Sequence, residues 1–344
     1  MRRAVIDLRA TSPAFRMPDA FGHRVCAEAP AGWETVVVFE DNDAIVGSPK
    51  GPGPEAMAAV ADAEVYFGWG MPARLFHAAP QLRWLQTALA GTGPLLAIPE
   101  MRDGPCLLTN AAGVYGPPIA ETVLAGVLHL TRGFDIGEPA RAAGRWDPAA
   151  FGTSAAMVRE IDELRVLIVG AGGLGREIGA RFAALGARVT GLRRSPTKGC
   201  PPGFAHIAGL DAIDAALPDA DVVILSAALT PETQQVLDAR RLALLPEGAI
   251  VVNVSRGPLL DEDALVAALS GGRLRGAVLD VFAREPLAPE SPLWQLRQVV
   301  LTPHVSGVSP RRLWDRLGAL FLGNWHAYVA GAPLKNLVDK AIGY

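Results

Sequence analysis

The sequence predicts an α/β protein built from two doubly wound parallel-sheet domains. Short aliphatic strand candidates alternate with helix candidates along almost the whole chain, the pattern of parallel sheets covered by helices on both faces. A glycine-rich turn, Gly170-Ala-Gly-Gly-Leu-Gly175, stands between one such strand and helix at G-x-G-x-x-G spacing. That turn lies mid-chain, with about 165 residues of further alternation ahead of it, so another domain precedes the one it opens.

Val5–Leu8 and Thr35–Phe39 read as strands, Pro54–Val60 as a helix, Glu64–Gly68 as a strand and Pro72–Ala79 as a helix. Leu82–Ala88 is the next strand, running into Ala90-Gly91-Thr92-Gly93, and Cys106–Thr109 is a last short one. No phosphate-loop glycine pattern occurs in this part. Pro117-Pro118 opens a helix over Ile119–Thr131, apolar on one face and more. From Val166–Val169 the strands resume at Val189–Leu192, Val222–Leu225, Ala249–Val254, Gly276–Leu279 and Val299–Leu301, six in all. A helix Asp261–Ser270, capped by Asp261, lies among them, and Arg311–Ala330 reads as a long amphipathic helix before the tail at Tyr344.

Composition narrows the function. Of 344 residues, 50% are hydrophobic and 19% charged, enough for a large core. A net charge of −3 gives no electrostatic case for nucleic acid or an anionic membrane. No apolar run reaches the ~18 residues of a membrane span, and Asp7 and Arg9 interrupt anything resembling a signal peptide after Arg2-Arg3. Cys26, Cys106 and Cys200 show no C-x-x-C spacing, so the expectation is a reduced, cytoplasmic protein without a metal site. Gly47–Pro54 is the one linker-like stretch.

The glycine turn has a specific chemistry. Gly170 permits the tight turn and Gly172 lets backbone approach a pyrophosphate. Gly173 and Leu174 lead into the helix, and Gly175 lets helix and strand pack closely, with the helix N-terminus facing the anion. The following strand, Ala187–Leu192, should carry at its tip the group that reads the ribose 2′ position. NAD-type sites place a carboxylate there. Here the tip is Arg193-Arg194-Ser195, and no carboxylate lies between Glu177 and Asp211. Two guanidiniums and a hydroxyl suit a 2′-phosphate. NADP(H) is therefore expected in preference to NAD(H), which stays possible.

Three later strands end in charged or titratable groups: Arg256 after Ala249–Val254, Glu285 after Gly276–Leu279, and His304 after Val299–Leu301. Ligands bind at the carboxyl ends of such strands. Interconverting a secondary alcohol and a ketone needs an acid/base, and histidine suits both directions. A carboxylate within reach orients the ring and favours its protonated form, and a guanidinium can clamp a substrate carboxylate. Taken singly, Arg256 suits a surface ion pair, Glu285 a loop cap and His304 a structural histidine; their common place at strand ends of one domain joins them.

Several segments together resemble the D-isomer-specific 2-hydroxyacid dehydrogenases over nearly the whole chain. They are Gly170–Gly175, Leu229-Thr-Pro-Glu-Thr233, Asn253-Val-Ser-Arg-Gly257, Leu279-Asp-Val-Phe282 with Glu285-Pro286-Leu287, and Thr302-Pro-His304 with Ser306-Gly307. The resemblance implies Arg256 as substrate-binding, His304 as acid/base and substrate contact, and Glu285 as its partner. It places Thr230, Asp280 and Gly307 at the cofactor and the Ala90 and Gly91 amides at the substrate carboxylate. It also implies a Rossmann cofactor domain, 113–309, inserted into a flavodoxin-like substrate domain formed by 1–112 and 310–344, in a homodimer. Glu285, where formate dehydrogenases carry Gln, argues against formate. Thr92-Gly93-Pro94 departs from the small apolar residue and Asp that often follow the family's loop. The expected reaction is reduction of a 2-oxo acid such as glyoxylate or hydroxypyruvate to the D-2-hydroxy acid, its side chain read near Tyr66–Met71 and Trp314. The alternative is a non-catalytic, dinucleotide-sensing protein like the corepressors that resemble this family.

Overall fold

The computed structural model describes residues 1–13, 15–40, 52–153 and 158–343. The linker-like stretch Gly47–Pro54 lies outside them as far as Gly51, as does the terminal Tyr344. The chain divides into two compact units, Met1–Tyr115 with Val308–Tyr344, and Gly116–Gly307.

In the first unit, strands β1 (Arg2–Asp7), β2 (Trp33–Val37), β3 (Ala63–Gly68), β4 (Trp84–Thr87) and β5 (Leu107–Thr109) form a parallel sheet in the order β2-β1-β3-β4-β5. This is the flavodoxin-like order. Alternate residues of β1 feed two cores, as a sheet buried on both faces requires. Ala4 and Ile6 join Phe67, Trp69 and Trp84 on one face, where the helix Pro310–Val329 lays down Leu313, Leu317, Phe321 and Trp325. Val5 joins Tyr66, Leu85, Leu75 and Met101 on the other. Phe321 stacks on Phe67 at 4.3 Å between ring centroids. Trp69 is 1% exposed and wedged edge-on between Phe15 and Trp314, so it is core. A helix at Asp19–Ala27 has no counterpart in the sequence reading: it buries only Phe21, Gly22 and Val25 and starts without a capping side chain.

In the second unit, β6 (Arg165–Val169), β7 (Arg188–Leu192), β8 (His206–Ala208), β9 (Val222–Leu225), β10 (Ala249–Asn253), β11 (Leu274–Leu279) and β12 (Val299–Leu301) form a parallel sheet ordered β12-β11-β10-β9-β6-β7-β8. Read from β6, this is the doubly wound dinucleotide-fold order with one strand more. Six strands were expected and the described residues contain seven. The extra one, β8, is a half-exposed three-residue edge strand, too short for any apolar run to betray it. The strand order reverses beside β6, so the loops leaving β6 and β9 open at the switch point where this fold binds ligands. The helix Gly116–Thr131 begins three residues before the expected Ile119, because its two prolines sit in the first turn, where no intrahelical N–H is needed. A helix Phe134–Ala142 follows unannounced, with Pro139 inside it. Its Asp135 pairs with Arg275 of β11 at 2.6 Å, both side chains under 10% exposed. No described helix is long and apolar enough to cross a membrane.

Candidate active site

The glycine turn comes first in the second unit. Gly170 has φ +105°, and a β-carbon there would lie 2.3 Å from the Ala227 nitrogen. A β-carbon on Gly175 would lie 2.3 Å from the Gly170 oxygen. Both glycines are thus required by the protein's own backbone. Gly172 and Gly173 are different: a β-carbon on either meets nothing within 4 Å. They are exposed at the N-terminus of the helix Gly173–Ala184, which no side chain caps. The first-turn amides, Leu174 and Gly175 included, have no intrahelical acceptor, so the turn offers open space in front of unpaired donors. That is the cradle a pyrophosphate needs.

At the tip of β7, the Arg193 guanidinium turns onto its own loop. Its Nη2 donates to the carbonyls of Pro196, at 3.3 Å, and Gly199, while its buried Nε has no acceptor among the described residues. Arg194 is exposed and Ser195 half-buried. A carboxylate does stand near this basic tip, from a different loop. The Thr230 hydroxyl chiefly, then a backbone amide and the charge of Arg194, hold the Glu232 carboxyl below its usual range. Glu232 lies on the loop after β9, away from the strand tip, so the sequence around Arg193 does not mark it. Thr230 is fixed by Thr233, whose hydroxyl takes the Thr230 N–H at 2.7 Å and donates to the Ala228 carbonyl at 2.7 Å.

The three catalytic candidates stand on the loops after β10, β11 and β12. His304 Nδ1 and Glu285 Oε2 are 2.8 Å apart, with side chains 44% and 33% exposed. The second Glu285 oxygen accepts the Phe282 N–H at 3.1 Å. A carboxylate only accepts here, so the proton of that contact sits on Nδ1, and the other ring nitrogen, Nε2, stands outside it. His304 has φ +55°, in the left-handed region that non-glycine residues seldom occupy.

Asp280 holds it there. This carboxylate is 2% exposed. Its Oδ1 accepts from the Thr302 hydroxyl at 2.7 Å, the Val305 N–H at 2.8 Å and the Ser306 N–H at 3.0 Å, and its Oδ2 takes the Ser306 hydroxyl. The His304 N–H donates to the Asp280 carbonyl at 2.8 Å. One buried side chain therefore pins both sides of the histidine. Thr302 and Ser306 were not singled out in the sequence as holders of the site; two hydroxyls flanking a strand-end histidine were the available signal. The neighbouring Gly307 closes the unit, and Thr122 reaches the Ser306 carbonyl at 3.5 Å.

Arg256 is exposed, and its Nη1 donates to the Ser255 carbonyl at 2.6 Å. Among the described residues it makes no hydrogen bond to Glu285 or His304. Backbone contact joins its loop to that of Glu285. A β-carbon on Gly257 would lie 1.8 Å from the Phe282 oxygen, so only glycine lets the Arg256 turn press against the turn that ends in Glu285.

Ala90 and Gly91 belong to the first unit. The Tyr115 hydroxyl holds the Ala88 carbonyl at 2.6 Å and Asn110 Nδ2 the Ala90 carbonyl at 2.9 Å. Among the described residues neither the Ala90 nor the Gly91 N–H has an acceptor. Thr92, at the departure from the family's loop, is 3% exposed and donates to the Gly343 carbonyl at 2.6 Å, tying this loop to the C-terminal segment.

Comparison with known proteins agrees with this construction. The family model of the D-isomer specific 2-hydroxyacid dehydrogenase, NAD binding domain, matches residues 124–306. A glyoxylate/hydroxypyruvate reductase A of Escherichia fergusonii is 34% identical over 67% of this chain and 70% of its own. Among solved structures, a D-isomer specific 2-hydroxyacid dehydrogenase from Xanthobacter autotrophicus in complex with NADPH and MES superposes with TM-score 0.80 at 29% identity, each chain covered completely. An NADPH-dependent glyoxylate/hydroxypyruvate reductase from Sinorhizobium meliloti in complex with NADP and sulfate gives TM-score 0.80 at 25% identity, again over the whole of both chains. This chain belongs to the D-isomer specific 2-hydroxyacid dehydrogenase family, oxidoreductases acting on CH–OH donors.

Proposed function

We propose that the protein is an NADP(H)-preferring 2-oxoacid reductase, forming a D-2-hydroxy acid from glyoxylate, hydroxypyruvate or a similarly small acid. The observation that carries the reading is the 2.8 Å Glu285–His304 pair, with the turn that ends in Glu285 packed against the turn of Arg256. A sensing protein has no need of an oriented acid/base. The relatives named for glyoxylate and hydroxypyruvate, and neighbours holding NADPH or NADP, support the substrate class and the cofactor.

Gly170–Gly175 would hold the pyrophosphate, Arg193, Arg194 and Ser195 the 2′-phosphate, and Thr230, Asp280 and Gly307 the rest of the dinucleotide. A bound reduced nicotinamide supplies the hydride that the keto carbon accepts. Arg256 meets the carboxylate of the acid and draws electron density toward the carbonyl oxygen. His304 gives its Nε2 proton to that oxygen as the alcohol forms, and Glu285 keeps the ring in its orientation. In the other unit, the Ala90 and Gly91 amides are proposed to take a carboxylate, supported by their lack of acceptors. Unit 116–307 serves as the cofactor domain and the remainder as the substrate domain.

We further propose a cytoplasmic homodimer, in keeping with the free thiols of Cys26, Cys106 and Cys200. Phe134, Trp146 and Phe151 are 65%, 97% and 37% exposed within one short stretch of the second unit, an apolar concentration that suits a subunit contact. Trp146→Glu should convert a dimer to a monomer in light scattering; a wild-type monomer contradicts this.

The function is tested by following reduced-nicotinamide absorbance with NADPH and NADH in parallel, against glyoxylate, hydroxypyruvate, pyruvate and a bulky 2-oxo acid. Faster loss of NADPH with the small acids is expected, and Arg193→Ala should cut the NADPH advantage about tenfold. Equal KM values for the two cofactors would refute the preference, and tight NADPH binding with no turnover of any acid would favour the sensing protein.

A further inference from the structure

We infer that Asn253 is the positioning residue of Arg256. Asn253 ends β10, one of the three strands whose loops carry the site, and is 1% exposed. Its side chain closes a bracket across the next turn. Oδ1 accepts the Ser255 N–H at 3.2 Å and Nδ2 donates to the Arg256 carbonyl at 2.9 Å. The same Arg256 carbonyl accepts the Leu259 N–H at 3.2 Å. The Ser255 hydroxyl is tied to the Ala227 carbonyl, so the turn is also held from the β9 side. A buried primary amide has to satisfy both its donor and its acceptor, and here both are spent on the two residues around the guanidinium-bearing Cα.

The bracket also sets the turn against the histidine's support. The Asn253 carbonyl accepts the Asp280 N–H at 3.0 Å. Asn253 is paired in register with Leu279, the residue before Asp280. The two buried polar side chains thus start from adjacent points of neighbouring strands. Asp280 fixes the loop of His304, and Asn253 fixes the loop of Arg256. Arg256 itself is exposed and leans on a backbone carbonyl, so its approach to a substrate carboxylate depends on the turn and not on packing around its side chain. No other residue type of that size supplies one acceptor and one donor in this geometry. Aspartate lacks the donor and alanine lacks both.

This inference rests on Arg256 as the substrate clamp, and the test separates the two. Wild type, Asn253→Ala, Asn253→Asp and Arg256→Gln, and both Asn253 variants in the Arg256→Gln background, are compared. The readouts are KM for glyoxylate, the dissociation constant of oxamate in the presence of NADPH, the dissociation constant of NADPH, and thermal melting. Each Asn253 variant should raise KM and the oxamate constant about tenfold. NADPH affinity should stay within about twofold, and the increase should vanish in the Arg256→Gln background, because the bracket acts through that side chain. Asn253→Asp keeps the size and the acceptor, so it guards against a fold lost through Asn253→Ala. An unchanged oxamate constant, a parallel loss of NADPH affinity, or full additivity with Arg256→Gln would overturn the role of Asn253. An Arg256→Gln protein that itself binds oxamate normally would instead overturn the reading of Arg256.

Discussion

The loop after β6 and the loops after β10, β11 and β12 leave the same edge of one sheet, yet they are held by opposite means. The first is fixed by the absence of side chains: Gly170 and Gly175 are excluded from bearing a β-carbon by backbone atoms 2.3 Å away. The others are fixed by buried polar side chains, Asn253 and Asp280, that thread hydrogen bonds through turns carrying Arg256 and His304. A backbone cradle suits a ligand recognised by its phosphates, whereas a proton donor has to be aimed, and aiming takes side chains that lock other side chains.

The largest way to break this contrast is at Asp280. Removing its carboxylate leaves the Val305 and Ser306 amides and two hydroxyls without their acceptor in a buried place. Asp280→Ala should lower the unfolding free energy by about 3 kcal/mol, since hydrogen bonds to a charged group contribute roughly 1.5–3 kcal/mol each. It should also reduce kcat far more than Asp280→Asn, both measured by denaturant titration and steady-state kinetics. Unchanged stability would remove Asp280 as the holder of the loop.

The next effect sharpens the glycine side. Gly175→Ala forces a β-carbon onto the Gly170 oxygen and should cost about 1–3 kcal/mol of stability. Gly173→Ala enters open space and should leave the melting temperature unchanged while weakening NADPH binding. Equal melting temperatures for the two variants would mean that the turn is not held by its own backbone.

The smallest effect lies at the opposite edge of the same sheet, where ion pairs do the holding. Burial pushes the Asp221 carboxyl up, but hydrogen bonds from Arg165 and Arg159 outweigh it and hold the group below its usual range. A carboxyl lowered on folding adds stability above its unfolded pKa, about 3.9 for Asp, and that contribution is lost as pH falls through the folded value. The wild type should therefore lose melting temperature below about pH 4 more steeply than Asp221→Asn. Parallel curves would remove Asp221 from the acid response.

These differences also explain what could be read in advance. Periodicity exposed the buried strands and long helices, because β6, β9 and β10 are nearly continuous apolar runs and β1, β3, β4 and β11 each carry a buried apolar stretch. It missed β8, which is half-exposed, and the helix Asp19–Ala27, which buries one narrow stripe. The glycine turn was legible as a motif because its physics is local: a strand, a turn and a helix start within eleven residues, 165–175. Glu285 and His304 were legible as chemistry at strand ends, and the 2.8 Å contact joins them. Their supports were not. Thr302 and Ser306 matter only because Asp280 lies behind them, and Glu232 stands by Arg194 only because two distant loops meet. Trp69, which by sequence suits a pocket wall or core equally, is 1% exposed and is core.

His304, aimed by Glu285 and Asp280, is proposed to deliver the proton during reduction of a 2-oxo acid. Single-turnover loss of reduced-nicotinamide absorbance, with NADPH bound to wild type and to His304→Ala and glyoxylate then added, tests it most directly. His304→Ala should bind NADPH as wild type does and oxidise it about 10²–10⁴-fold more slowly, the usual contribution of a positioned acid. Oxidation at the wild-type rate by His304→Ala would contradict it.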